Sequence, residues 1–244
     1  MRIIFVSDAH LMGLHDPNQA RMVAWLDRLN VDVVVFVGDV FHHWWGFAGV
    51  IPVDYAPICA AMIRLRKRGI GIHYVRGNHD FHLGPFFTKI LGAEVTGPVT
   101  RVYDGVRLVV AHGDEADDSI GYRVLRAIIR SGPFSILMAM LGPRLGLGLL
   151  RRLAGHRDVH DKVCEALLIK QRAWACDHIK AGASVVIMGH AHAPGVVAQE
   201  GGHVVHLGDW SEAGTFALLS EGCVSLRRFS PDKALGNEFS SVSL

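Results

Sequence analysis

Six short apolar runs in this chain break off in the same manner, and that repetition constrains the fold more than any other feature. RIIFVSDAH ends in Asp-x-His, VDVVVFVGDVF in Gly-Asp, GIHYVRGNHD in Gly-Asn-His-Asp, VRLVVAHGD in His-Gly-Asp, ASVVIMGHAH in Gly-His-x-His and HVVHLGDW in Gly-Asp-Trp. Val- and Ile-rich runs bounded by turn residues read as buried strands. Segments with helical spacing, QARMVAWLDRL and APICAAMIRLRKRG, lie between the early runs, the second ending at Gly69 as a C-cap. Strands alternating with helices predict an α/β protein. The later part reads as more antiparallel, because Asp104-Gly105 and Glu221-Gly222 each separate two strand-like runs. Residues 230–244 are polar and are expected to form a loosely held, flexible tail.

With 244 residues, half of them hydrophobic, the chain is long enough for a single domain over 1–244 carrying an insertion. A formal charge of +2 exerts no overall pull on nucleic acid, and none is expected as a partner. Cys59, Cys164, Cys176 and Cys223 form no C-x-x-C pair, which predicts reduced thiols rather than disulfides or a zinc–thiolate site. The chain opens directly on the strand-like MRIIFVSD with no leader-like segment, so a cytoplasmic location is expected.

Asp8, His10, Asp39, Asn78, His112, His190 and His192 all stand at C-terminal ends of apolar runs. In open α/β sheets that edge is where sites form, since it gathers side chains that are distant in sequence. Oxygen and imidazole donors without thiolate suit Mn²⁺, Fe²⁺ or Zn²⁺. Seven donors are too many for one ion with an open position and fit two. Ions roughly 3.5–4 Å apart clamp the attacking and leaving oxygens of a phosphoryl displacement. Each piece alone has a plainer reading: a strand-end Asp caps a helix, a lone His is surface or core, and GNHD is a Gly-Asn turn. The ordered set does not reduce to those readings. His15, His73, His82, His156, His178, His203 and His206 are expected not to be ligands, while His42 and His43 are placed behind the ligands or facing substrate.

The texture changes between His112 and His190. From Tyr122 to Arg157 there is no acidic residue but seven arginines, at 123, 126, 130, 144, 151, 152 and 157, interleaved with runs such as FSILMAMLGPRLGLGLLRRL. The uncharged stretch from Ser131 to Pro143 is shorter than the ~20 residues a bilayer span requires. Two readings fit: an interfacial or lid-like insertion over about 118–178, or a helical hairpin packed on the core with solvated arginines.

Asp-x-His, Gly-Asp, Gly-Asn-His-Asp, His-Gly and Gly-His-x-His, in that order from Asp8 to His192, resemble the calcineurin-like metallophosphoesterase superfamily. The resemblance implies a four-layer β-sandwich, two mixed sheets flanked by helices, with the helical insertion as a lid. It implies that Asp8, His10 and His192 hold one divalent ion, that Asn78, His112 and His190 hold another, and that Asp39 bridges them. His79, oriented by Asp80, would protonate or stabilise the leaving oxygen.

Within that superfamily, SDAHL, GDVFHHWWG, GNHDFHLG, HGDEADDSIGYRVLR and MGHAHAP look like the UDP-2,3-diacylglucosamine hydrolases of bacterial lipid A synthesis, from Met1 to about Phe229. That likeness implies Mn²⁺-dependent hydrolysis of a pyrophosphate bond, releasing UMP and 2,3-diacylglucosamine 1-phosphate. It implies substrate contacts at Asn78, His79, Asp118, Lys162 and His190, and peripheral association with the cytoplasmic face of the inner membrane through the basic apolar insertion. The oligomeric state is not legible. One position departs from the pattern: the close family usually carries Arg where this chain has His79. A pyrophosphate leaving group needs charge neutralisation more than a proton, whereas an alkoxide needs the proton. His79 therefore leaves open a different phosphodiester, phosphomonoester or nucleotide substrate.

Overall fold

The computed structural model describes residues 1–154 and 165–244; His156, Arg157, Lys162 and Cys164 lie outside the described residues. In chain order the first half gives β1 (Arg2–Val6), α1 (Pro17–Arg28), β2 (Val33–Val37), β3 (Trp44–Trp45), α2 (Ala56–Lys67), β4 (Gly71–Val75), β5 (Asp80–His82), β6 (Glu94–Thr96), β7 (Val99–Tyr103) and β8 (Val106–Ala111). There follow α3 (Ile120–Ile129), α4 (Gly132–Ala154), α5 (Glu165–Lys180), β9 (Val185–Met188), β10 (Gly195–Gln199), β11 (Gly202–His206), β12 (Thr215–Ser220), β13 (Cys223–Ser230) and β14 (Lys233–Ser243).

A seven-stranded sheet in the order β14-β13-β12-β1-β2-β4-β6 faces a five-stranded sheet in the order β10-β11-β9-β8-β7. Both are mixed. β1, β2, β4 and β6 run parallel, as do β8, β9 and β11, and the remaining partners are antiparallel. Alternation along the strands sends Ile3, Phe5, Val33 and Val35 inward, against Leu108, Val110, Val185, Ile187 and Val205 of the other sheet. The opposite faces of the strands take helices. Met22, Trp25 and Leu26 of α1 and Ile58, Met62 and Leu65 of α2 cover Ile4, Val34, Phe36 and Ile72. On the other side, Ala175 and Ile179 of α5 cover Val109, Val186 and Val204. This is the expected four-layer α/β arrangement, and it explains why the strands read as continuous apolar runs: both faces are buried.

Local signals agree with these elements. Asp16 caps α1 by accepting from the Asn18 N–H (2.8 Å), with Pro17 at the first helical position. Gly69 is left-handed (φ 83°) past the end of α2. Asp104-Gly105 (φ 50° and 82°) and Glu221-Gly222 (φ 53° and 70°) are both left-handed pairs, as tight hairpin turns require.

Two expected boundaries differ. Residues 230–244 are not a loose tail: β14 pairs antiparallel with β13, from Cys223 opposite Ser243 to Ser230 opposite Lys233. The stretch is polar because it is an edge strand, held by its backbone ladder and by the Trp25 indole N–H donating to the Ala234 carbonyl (2.9 Å). The insertion also ends earlier than 178, because α5 is the outer layer of the core rather than part of a lid. What stands apart is α3 with α4. The apolar stretch Gly132–Leu150 is, by length and composition, long enough to cross a membrane. The chain leaves helical geometry at Gly142 (φ 67°, ψ 177°), immediately before Pro143. The two halves, 132–141 and 143–154, are each about 15–18 Å long at 1.5 Å per residue, short of a ~30 Å hydrocarbon core.

Candidate metal centre

All seven expected ligands lie on one edge. β1, β2 and β4 are parallel neighbours in one sheet and β8 and β9 in the other, so Asp8, Asp39, Asn78, His112 and His190 leave their strands in the same direction across a shared core. The backbone turns sharply there. Asp8 (φ 53°), His10 (42°), Asp39 (54°), His190 (67°) and His192 (53°) are all left-handed, and among the described residues the other left-handed non-glycine positions, Asp104 and Glu221, are the two hairpin turns. Asp, Asn and His tolerate this conformation better than most residues, and such strain gathers at functional sites. Main-chain bonds hold the bends: the Asp8 N–H donates to the Gly38 carbonyl (3.2 Å), His10 N–H to Asp39 (3.0 Å) and Gly189 N–H to His112 (2.8 Å).

The motif glycines have a steric reason. A Cβ on Gly77 would sit 2.1 Å from Asp39 Oδ1, and one on Gly189 would sit 2.6 Å from Asp8 Oδ2. Only hydrogen fits between these strand ends and the carboxylates.

The donors form two groups. In the first, the ligating atoms of Asp8, His10 and His192 lie within 4.8 Å of one another, with His10 Nε2 and His192 Nε2 at 3.3 Å and Asp8 Oδ1 at 3.6 and 3.4 Å from them. Asp8 Oδ2 accepts the His190 N–H (2.8 Å), but buried Oδ1 accepts no hydrogen bond. In the second, Asp39, His112 and His190 converge likewise, with His112 Nε2 at 3.3 Å from Asp39 Oδ2 and 3.0 Å from Asn78 Oδ1. His112 Nδ1–H donates to the Val37 carbonyl (2.9 Å), which turns Nε2 toward the carboxylate.

Electrostatics favour cations. Burial opposes ionisation of Asp8 and Asp39, yet the imidazoles around each outweigh it and hold both carboxyls well below the usual range. Burial would lower His112, but the Asp39 carboxylate raises it well above an ordinary histidine. Burial likewise opposes charge on His192, and Asp8 raises it to about 8. His190 goes the other way, down to about 4, by burial and the proximity of His112. Two ionised carboxylates, crowded imidazoles and an unsatisfied buried carboxylate oxygen fit a pair of divalent ions.

His79 and Asp80 are both buried beside Asp39, but Asp80 does not orient the His79 ring. Its Oδ2 accepts the N–H of Asp39 (2.8 Å) and of Gly77 (3.0 Å), and its Oδ1 accepts the Tyr74 hydroxyl (2.9 Å). Asp80 therefore braces the two strand ends that present Asp39 and Asn78. Burial and the neighbouring Asp39 raise its carboxyl to about 7. The His79 ring is oriented instead by the His42 carbonyl, which accepts from Nδ1 at 2.6 Å, while its main-chain N–H donates to Asp39 Oδ1 (2.8 Å). Ring contacts with His10, His42 and His43 complete its surroundings.

The structure separates Asp118 from this edge: it is exposed, ahead of α3, and ion-paired with Lys170 of α5. Conversely, sequence reasoning missed three supports. Buried Gln171 of α5 donates to the carbonyls of Gly113 (3.3 Å) and Gly189 (3.1 Å), tying two ligand loops together. Asp114 accepts from the Tyr122 hydroxyl and pairs with Arg126 (3.2 Å), which anchors α3 beside His112; the Tyr-x-x-x-Arg spacing puts both on one helix face. Asp209 of the LGDW motif is a turn cap for the N–H groups of Glu212 (2.6 Å) and Ala213 (3.0 Å).

The family model for calcineurin-like phosphoesterase matches residues 1–194. A UDP-2,3-diacylglucosamine hydrolase of Porphyromonas gingivalis is 34% identical over 157 residues, 61% of this chain and 60% of that protein. Another of the same name, from Aeromonas salmonicida, is 28% identical over 91% of each chain. A third, from Pectobacterium carotovorum, is 27% identical over 94% of this chain and 99% of that one. With the family match spanning all seven candidate donors, this chain belongs to the calcineurin-like phosphoesterase family of metal-dependent hydrolases.

Proposed function

We propose that the protein hydrolyses the pyrophosphate bond of UDP-2,3-diacylglucosamine, giving UMP and 2,3-diacylglucosamine 1-phosphate, with two Mn²⁺ ions as cofactor. The observation that carries this reading is the placement of an apolar, arginine-bearing insertion directly beside the metal edge. Arg130, at the C-terminal cap of α3, donates to the carbonyl of Gly77 (3.0 Å), next to Asn78. Meanwhile Ile120, Val124 and Ile128 of the same helix, spaced one turn apart, face outward. A diacylated sugar phosphate needs this combination of cations for its head and an apolar surface for its chains. The names of relatives aligned over most of the chain support the same substrate.

In this reading Asp8, His10 and His192 would hold one ion and Asn78, His112 and His190 the other, with Asp39 available to both. Ions held there would supply an activated water and charge neutralisation at phosphorus. The chain's own residues orient and shield. Asp80 and Gln171 fix the loops. His79 is held with Nδ1–H toward the His42 carbonyl, which leaves Nε2 to face the substrate. Burial lowers its pKa and an anionic phosphate beside it would raise it, so that as imidazolium its Nε2–H could donate to the leaving phosphate oxygen and neutralise its charge. Asn78, His79 and His190 contact the substrate phosphates, and the exposed apolar face rests on the anionic cytoplasmic leaflet.

Purified protein with Mn²⁺ and UDP-2,3-diacylglucosamine is expected to release UMP. No release, alongside rapid cleavage of simple phosphodiesters, would overturn this reading in favour of another phosphoester substrate.

A further inference from the structure

We propose that the cavity bounded by His42, His43 and Asp54 is the subsite for the uridine nucleoside of the substrate, with the Asp54 carboxylate accepting from the ribose hydroxyls. This rests on the nucleotide-linked substrate proposed above. The cavity holds about 210 Å³ and lies where the core meets the insertion: Met12 and Pro52 belong to core loops and Leu147 to the second half of α4. Ligand pockets that enclose a whole drug-sized molecule run to roughly 300–1,000 Å³. This one has room for a single small moiety and not for a pair of acyl chains.

Its chemistry is divided. His42, His43 and Asp54 are polar, and Met12, Pro52 and Leu147 are apolar. A nucleoside uses both halves: a flat base lies against apolar groups and imidazole rings, and a carboxylate is a common acceptor for ribose hydroxyls. The His42 and His43 rings sit 4.1 Å apart, tilted by 34°, and His43 is parallel to His79 at 5.7 Å. The main chain at Asp54 is pinned, because its carbonyl accepts from buried Gln19 (3.0 Å), which also donates to Gly13 (2.6 Å).

Position ties the cavity to the reaction. His42 lines it and also lies with His10 and His79 in a group in which one ring nitrogen of each is within 4.8 Å of those of the others. A nucleoside seated here puts its 5′-phosphate at the metal edge. The acyl chains are then directed away, over the exposed apolar side of α3 and α4.

The test uses Mn²⁺-loaded protein, a small chromogenic phosphodiester as reporter, and UMP, 2′-deoxy-UMP and inorganic phosphate as competing probes. In the native chain UMP is expected to inhibit at least tenfold better than phosphate, with 2′-deoxy-UMP weaker than UMP. D54A, and independently L147W, which fills the cavity without touching the carboxylate, are expected to bring the UMP-to-phosphate ratio toward one. UMP inhibiting no better than phosphate in the native chain would overturn the proposal, as would a ratio unchanged in both variants. Release of UMP from UDP-2,3-diacylglucosamine by the native chain is scored separately, so a failed nucleoside site and a wrong substrate give different results.

Discussion

The strands of the core and the helices of the insertion draw on the same apolar alphabet and use it in opposite ways. Ile3, Ile4, Val34 and Ile187 are fully buried, while Ile120 on α3 is 79% exposed and Met140 on α4 81%. The strands have partners on both faces, each buried aliphatic side chain contributing roughly 1.5–3 kcal/mol. Besides the polar anchors at Tyr122, Arg126 and Arg130, α3 and α4 meet the core through a small apolar cluster, in which Ile129, Met138 and Leu150 pack with Trp45 and Phe81. Ile120, Val124, Ile128, Ile136, Met140 and Leu145 remain exposed. Apolar surface of that kind is what the proposed lipid-linked substrate and membrane contact would use. The buried region positions charge; the exposed one is the part that the proposed function assigns to lipid.

The largest expected effect belongs to the buried side. D39A should lower turnover at least ~10³-fold and reduce metal content, since the bound ions carry several kcal/mol of transition-state stabilisation. Retained activity with full metal loading would break the assignment of Asp39 as the shared ligand. D80N and Y74F come next. They disturb the brace behind Asp39 and Asn78 rather than a ligand, so metal affinity should fall about 10–100-fold. Turnover restored by excess Mn²⁺ would sharpen the distinction between holding a ligand and being one.

The pH dependence should also reside in the buried region. His192 is raised to about 8 by Asp8, so the metal-free protein favours its protonated form, and that contribution to stability is present at low pH and lost as pH rises through about 8. A metal needs the neutral ring. Apparent Mn²⁺ affinity should therefore climb as pH rises toward 8, by up to about tenfold per unit for this proton, with raised His112 making the slope steeper. Calorimetric titrations at pH 6.5 and 7.5 would measure it, and equal affinities would rule it out. The smallest effect lies on the exposed side. The double variant I120S/M140S should weaken binding to anionic lipid vesicles several-fold and change folding stability by less than about 1 kcal/mol, as exposed positions do. A large loss of stability would mean that α3 and α4 are packed core after all.

Much of the centre was legible because strand ends are local. A Val- and Ile-rich run followed by Gly-Asp or Gly-His announces both a buried strand and the residue it presents. The departures share one physical origin. Asp80 sits beside His79 in sequence, yet its carboxylate turns toward the backbone of Asp39 from the neighbouring strand, a contact that no spacing rule reports. Gln171 lies mid-helix and acts on two loops far from it in sequence. The polar β14 lacks an apolar signature because edge strands are stabilised by ladder bonds instead.

The sequence by itself determined the strands, the glycines at their ends, and which seven side chains are candidate donors, since these follow from local patterning. Tertiary structure alone decided that Asp80 braces backbone N–H groups while Asp39 faces the imidazoles, that α5 belongs to the core, that α4 breaks at Gly142, and that His79 leans on a carbonyl rather than on Asp80. Those outcomes depend on which strands lie next to one another, and that adjacency comes from burying both sheets against a common core.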